Sequence, residues 1–288
     1  MIRGPAGDSA RSGDSTIPLR VRGTAGAAGG RQEYVPPAGY RPGRRRSWRI
    51  LRRVTVLLVV LVVLAGLAFG ALLLLTPSVG NARQLAMEQA TAHHALYPGP
   101  PVPHRFAASL VATEDHRFYS EPGIDVLAIG RVAQSYLTGR GDQGGATLYQ
   151  QLAKVLYTPG RSGVTVEAEQ VALAVKLDLT YTKTQILRMY ADVVYFGNGY
   201  YGLAAASCGY FGVRPAGLSW PEAAMMAGLV QGPSLDDPLT HPAAARAREA
   251  HVIGRLVATG TLTQAQATSA LAVPLPRMLA RAGTGCAA

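Results

Sequence analysis

Acidic residues are scarce in this chain. Its 288 residues carry 17 Asp and Glu against 28 Lys and Arg, a formal net charge of +11 at pH 7. Such an excess by itself points to a nucleic-acid partner, but its distribution does not. Residues 1–53 hold twelve Arg against Asp8, Asp14 and Glu33, whereas residues 54–288 hold sixteen basic and fourteen acidic side chains. The basicity belongs to a tail, and no nucleic acid is expected as a partner. Cysteine is nearly absent as well. Cys208 and Cys286 lie far apart and make no disulfide framework, so the expectation is a buried Cys208 and an incidental Cys286. There is no CxxC pair. His93, His94, His104, His116, His241 and His251 are scattered without ligand spacing, so no protein-built metal site is expected. Strand-like alternation is also rare, Val193-Val194-Tyr195-Phe196 being the β-prone exception.

What is present begins with a long apolar run. Residues 1–40 are rich in Gly, Ala, Pro, Ser and Arg and lack apolar periodicity, so they are expected to be disordered. Arg41 to Arg53 sets seven Arg around Trp48, Ile50 and Leu51, and Val54 to Leu75 then runs 22 residues without a charge. A helix needs about 20 such residues to cross a hydrocarbon core. A cleavable signal would have a shorter apolar region closer to the N-terminus, so an uncleaved anchor is expected. The Arg cluster precedes the span and only Arg83 follows it closely. The positive-inside rule therefore puts the N-terminus in the cytoplasm and everything after Pro77 outside. The expected plan is a disordered basic tail (1–53), one transmembrane helix (54–75), a linker (76–103), an extracytoplasmic domain (104–275) and a flexible tail (276–288).

Within the outer region apolar residues recur at helical spacing, as in Phe106/Leu110/Val111, Val126/Ile129/Val132/Ala133 and Ile186/Leu187/Tyr190. Gly-containing turns at 139–145, 197–202 and 212–217 separate the helices. Thr182-Lys183-Thr184-Gln185 and Ser219-Trp220-Pro221-Glu222 look like helix starts, the second a capping box, and Leu262-Thr263-Gln264 starts a last short helix. The periodicity predicts a mainly α domain.

Chemistry concentrates in two stretches. Thr113-Glu114-Asp115-His116-Arg117-Phe118-Tyr119-Ser120-Glu121-Pro122-Gly123 puts an acidic pair after an apolar run, where it must be solvated, paired or held in a cleft. About twenty residues on, Gly144-Gly145-Ala146-Thr147-Leu148-Tyr149-Gln150-Gln151-Leu152-Ala153-Lys154 is a glycine turn entering a polar helix start. In this order and spacing the two resemble the first two motifs of the family 51 peptidoglycan glycosyltransferases, which polymerise lipid II into glycan strands. Glu114 and Asp115 match the family's acidic pair, whose Glu is the catalytic base. Phe118 and Gly123 match as well, while Glu121 replaces a histidine. Arg131 falls on an arginine that follows. Gly145, Thr147, Gln150, Gln151 and Lys154 match the second motif, with Ala146 in place of its serine and Tyr149 in place of a threonine. The third motif has a basic pair and then a second glutamate at the donor pyrophosphate. Alignment back from Tyr181-Thr182-Lys183-Thr184-Gln185-Ile186-Leu187 puts Val166 and Glu167 on the basic pair and Gln170 on the glutamate. A one-residue shift puts Glu169 there instead, and Arg161 remains to serve the phosphates. Further on, Asp192 takes an Asn position, and Tyr195-Phe196-Gly197, Gly202-Leu203-Ala204 and Tyr210-Phe211-Gly212 follow the family.

The resemblance implies a lysozyme-like, mostly helical glycosyltransferase domain. It implies Glu114, with Gln170 or Glu169, as catalytic residues. Substrate binding falls to Asp115, Phe118, Arg131, Thr147, Gln150, Gln151, Lys154 and Arg161. No permanently bound cofactor is implied; a divalent cation, Mg or Mn, held with the substrate pyrophosphate is in keeping with it. The implied partners are lipid II, the growing glycan strand, the membrane and cell-wall synthesis proteins. Residues 124–143 are either a core helix or a stretch that dips into the outer leaflet. The departures in the third motif leave an alternative, a catalytically impaired homologue that binds lipid II or synthesis partners. A glycan-cleaving enzyme would need a raised-pKa general acid beside a sugar groove.

Overall fold

The computed structural model describes residues 44–124, 146–279 and Cys286. Arg131, the stretch 124–143 beyond Ile124, the turn at 139–145 and the tail before Arg44 lie outside the described residues. By contacts, residues 58–288 form one unit and residues 1–57 another.

The first helix, α1 (Arg44–Leu75), is longer than the apolar run. Residues 44–53, expected in the disordered tail, are its first turns. Arg is a good helix former, no Gly or Pro interrupts Arg44 to Ala65, and a helix once nucleated extends at little cost. Trp48–Leu75 is long and apolar enough to cross a membrane, and none of it is buried within the protein.

The remaining helices pack around one apolar core. In α2 (Ala82–Ala92) the residues Ala82, Ala86 and Ala90 form a buried stripe at i, i+4 and i+8. This segment was expected to be linker, yet it is part of the domain. Its polar composition hides three alanines that let it lie close against the core. Next come α3 (His104–Glu114), α4 (Leu148–Tyr157), α5 (Val164–Thr180) and α6 (Lys183–Val193). Capping boxes start α4 at Thr147 with Gln150 and α6 at Thr182 with Gln185.

Past α6 the β-prone stretch makes only an isolated antiparallel bridge between Tyr195 and Tyr201, the one strand-like pairing among the described residues. Gly197, Gly199 and Gly202 all have positive φ there, so the chain turns before a ladder can grow. α7 (Leu203–Phe211) ends on Gly212 in the left-handed region. α8 (Trp220–Leu229) is the centre of the domain, buried from Pro221 to Leu229. It packs against α3 and against α9 (Pro242–Ala258), which in turn meets α10 (Gln264–Leu271); α11 (Leu275–Met278) closes the described core.

The cysteines contradict the sequence expectation. Cys208, half-buried on α7, is disulfide-bonded to Cys286 across 78 residues. Sequence separation carries no information about this pairing, because α8, α9 and α10 stack side by side and bring the chain end back to α7.

Candidate active site

The site forms where the C-terminus of α3 meets the N-terminus of α4. Glu114 is the last residue of α3 and Asp115 its C-cap. Glu114 lies at the negative end of a helix dipole with its side chain 11% exposed, two effects that both disfavour a charge. Burial accordingly raises its pKa, while Gln151 and then Arg248 oppose the rise and Asp115 adds to it. Gln151 Nε2 on α4 donates to Glu114 Oε2 at 3.1 Å. Arg248 Nη2 on α9 donates to Glu114 Oε1 at 3.2 Å. Both carboxylate oxygens are thus held, each by a different helix.

Further contacts fix these two partners. The Tyr190 hydroxyl on α6 donates to Gln151 Oε1, so the amide presents its NH2 group to Glu114. Burial keeps the Tyr190 phenol protonated. Arg248 Nε donates to the Gly228 carbonyl at 3.2 Å, and a Cβ at position 228 would sit 2.7 Å from Arg248 Cγ. Gly228 therefore leaves the path by which Arg248 crosses α8. Arg255 Nε, one helical stretch further along α9, binds the Ala112 carbonyl at 3.0 Å and satisfies an orphan carbonyl of α3. Sequence reading missed Arg248, Tyr190 and Gly228. Arg248 is 134 residues from Glu114, and the one local signal was a run of Arg in α9 with few acids nearby.

Several residues expected to touch substrate also hold the structure together. Asp115 Oδ2 accepts the Leu148 N–H at 2.9 Å, placing a carboxyl on the first turn of α4. Thr147 and Gln150 cap one another, and Thr147 Oγ1 donates to the Gly123 carbonyl. Phe118 is fully buried against Tyr149, because an aromatic one turn past the helix end falls into the core. Lys154 stands exposed on α4.

On the donor side Gln170 is buried and its amide donates to Thr158 Oγ1 at 2.8 Å, so it is not free to meet a phosphate. Glu169 is paired with Arg161 at 2.8 Å. Val166 is buried and Glu167 exposed, and no bonded contact among the described residues links this group to Glu114. Nor do three His, Cys, Asp or Glu side chains converge to hold a metal among the described residues. Gln170 is engaged with Thr158 and Glu169 is paired with Arg161, so neither presents a free carboxylate to a cation.

Residues 82–257 match the family described as Transglycosylase. The chain belongs to the transglycosylase family. Relatives include a Cupriavidus necator protein that carries the transglycosylase name, 33% identical over 174 residues, covering 60% of this chain and 75% of that protein. Penicillin-binding protein 1A of Aquifex aeolicus is 37% identical over 175 residues, and that of Streptococcus oralis 36% over 178 residues. Each match covers 60% of this chain but only 24% and 28% of those longer proteins. Membership makes the chain a peptidoglycan glycosyltransferase in class, with a transglycosylase domain that starts at α2 rather than at residue 104.

Proposed function

We propose that this transglycosylase polymerises lipid II at an external membrane face, with Glu114 as the general base. The observation that carries the reading is the Glu114 carboxylate itself, shielded from water yet held ionisable by Gln151 and Arg248. A carboxylate whose proton affinity is raised by burial is a better acceptor for a sugar hydroxyl proton at neutral pH. Glu114 takes the proton of the lipid II 4-hydroxyl while that oxygen bonds to the anomeric carbon of the lipid-linked chain. The bond from that carbon to the pyrophosphate oxygen breaks, the electron pair leaves with undecaprenyl pyrophosphate, and the anomeric configuration inverts. Lys154, exposed on the same helix as Gln151, is the cation nearest in sequence to meet the leaving phosphates.

α1 supplies the anchor. Trp48–Leu75 confines the domain to the plane that holds a lipid substrate, which raises its effective concentration. The Arg-rich start of α1 supports a cytoplasmic N-terminus. The Cys208–Cys286 disulfide supports an oxidising, external location for the domain.

The test is polymerisation of labelled lipid II by full-length protein in detergent, with Glu114→Gln alongside. Strands from wild type alone support the assignment, and strands from Glu114→Gln refute it. Lipid II binding without turnover in wild type would instead favour a binding-only homologue, in line with the engaged Gln170 and the Arg161–Glu169 pair.

A further inference from the structure

α1 ends at Leu75 and α2 begins at Ala82, so the chain between them runs only from Thr76 to Asn81. Side chains of the domain hold it along that length. The last turn of α1 has no basic residue to meet its closing carbonyls. Lys176 of α5 does so instead, its Nζ donating to the Thr76 carbonyl at 2.7 Å and to the Pro77 carbonyl at 3.0 Å. The Tyr181 hydroxyl, at the C-cap of α5, lies 3.0 Å from both the Val79 and the Gly80 carbonyls. Tyr157, the last residue of α4, donates to Asn81 Oδ1 at 3.2 Å. Thr76, Val79 and Ala82 are buried. A flexible tether would leave these groups to water; here the connection is gripped.

The grip also has a side. Leu179 lies three residues past Lys176 on the same face of α5 and is 81% exposed. Leu74 and Leu75, next to the gripped Thr76, are 87% and 83% exposed. Bare leucines thus adjoin the Lys176 contact from both helices, at the end of the apolar span. We propose that Lys176 and Tyr181 are positioning residues: they clamp the end of the membrane helix to α5 and seat the domain on the lipid surface, with Leu179 against it. Lipid covers the leucines, while the Lys176 stem runs past them and its Nζ reaches the carbonyls. α4, joined to the connection through Tyr157, carries Gln151, which donates to Glu114. The clamp therefore holds the base at one height over the plane in which a lipid-linked sugar is presented.

The inference rests on α1 as the anchor, and its activity arm rests on the transferase reading; the depth arm does not. Full-length protein with Leu179→Cys is labelled with a thiol-reactive fluorophore, Cys208 and Cys286 being bonded to each other. In phosphatidylcholine–phosphatidylglycerol vesicles, lipids with a shallow acyl-chain quencher should quench this label. Quenching should be lost when Lys176→Ala and Tyr181→Phe are added, and kept with Lys176→Arg. Without the label, the double variant should lose about tenfold in kcat/KM for lipid II in the same vesicles. For a water-soluble, short-chain lipid II analogue it should stay within about twofold of wild type. An equal loss on both substrates marks a merely structural role and overturns the proposal. So does a label that is not quenched, or that is quenched equally in the double variant. If the double variant does not fold, Lys176→Ala alone decides by the same readings. The expected quenching pattern with no turnover of either substrate in any protein keeps the clamp and refutes the transferase reading instead.

Discussion

Removing Arg248 is the sharpest probe of how the base is held. Its guanidinium lies 3.2 Å from Glu114 Oε1, with the side chains 19% and 11% exposed. At an effective dielectric of about 20 that separation corresponds to about 5 kcal/mol of gross attraction. Desolvation of the two ions and residual solvent screening offset more than half, leaving about 2 kcal/mol. In Arg248→Ala the carboxyl has Gln151 alone against burial and the helix terminus, and it takes up a proton rather than remain an uncompensated charge. The expected result near pH 7 is a loss of kcat/KM of about 30-fold. The acid limb of the pH–rate profile should move to higher pH, so the deficit shrinks as the medium becomes alkaline. Arg248→Lys keeps the charge but cannot bridge Gly228 and Glu114 together, and should fall between the two. Gly228→Ala should act in the same direction by pushing Arg248 aside with its charge intact. A deficit that is equal at every pH, or activity within about twofold of wild type, refutes the argument that Arg248 keeps the base ionised.

Three further outcomes follow from the packing. Glu249 is fully buried beside Arg246 and is raised from 4.5 to about 7, chiefly by burial, while Asp192 is raised to about 6 by the same cause. Each ionises at a cost as pH rises toward its folded value. The urea midpoint should therefore be higher near pH 5 than near pH 8, with Glu249 alone worth up to about 3 kcal/mol; a midpoint that rises with pH would contradict this. Gly202→Ala should lower the unfolding free energy by about 3 kcal/mol, read as a lower urea midpoint at unchanged m, because φ is +79° and the new Cβ would lie 2.7 Å from the Asp192 carbonyl. Cys286→Ser releases a closure of 78 residues, worth up to about 4 kcal/mol of chain entropy. The variant should match the wild type treated with reductant in thermal unfolding.

The site was legible in part. Glu114 and Gln151 stood out because an acidic pair ends an apolar run and a glutamine pair follows a glycine turn, and the structure joins them. The helix starts at Thr182 and Ser219 were equally plain, since a cap needs only residues three apart. Asp115, Phe118, Thr147 and Gln150 were readable as positions, but not the contacts that hold each of them in the fold. Sequence pattern marks where a residue falls along the chain, and burial decides whether it faces a ligand or a neighbouring helix. The partners of Gln170 and Glu169 were hidden for the same reason, since the Thr158 hydroxyl and Arg161 that engage them have no marker at a fixed spacing.

The sequence by itself determined the apolar span, the helical class of the domain, the acidic pair and the family to which they belong. These depend on local order: an uncharged run, a period of 3.6 residues, a cap, a motif. Tertiary structure alone decided that α2 belongs to the core, that Cys208 pairs with Cys286, and that Arg248 reaches Glu114. Each of these is a contact between residues whose separation along the chain is unrelated to their distance in space. It exists because α8, apolar after its capping Glu222 and lined with small residues, draws α3 and α9 close enough on its two sides for their polar side chains to meet.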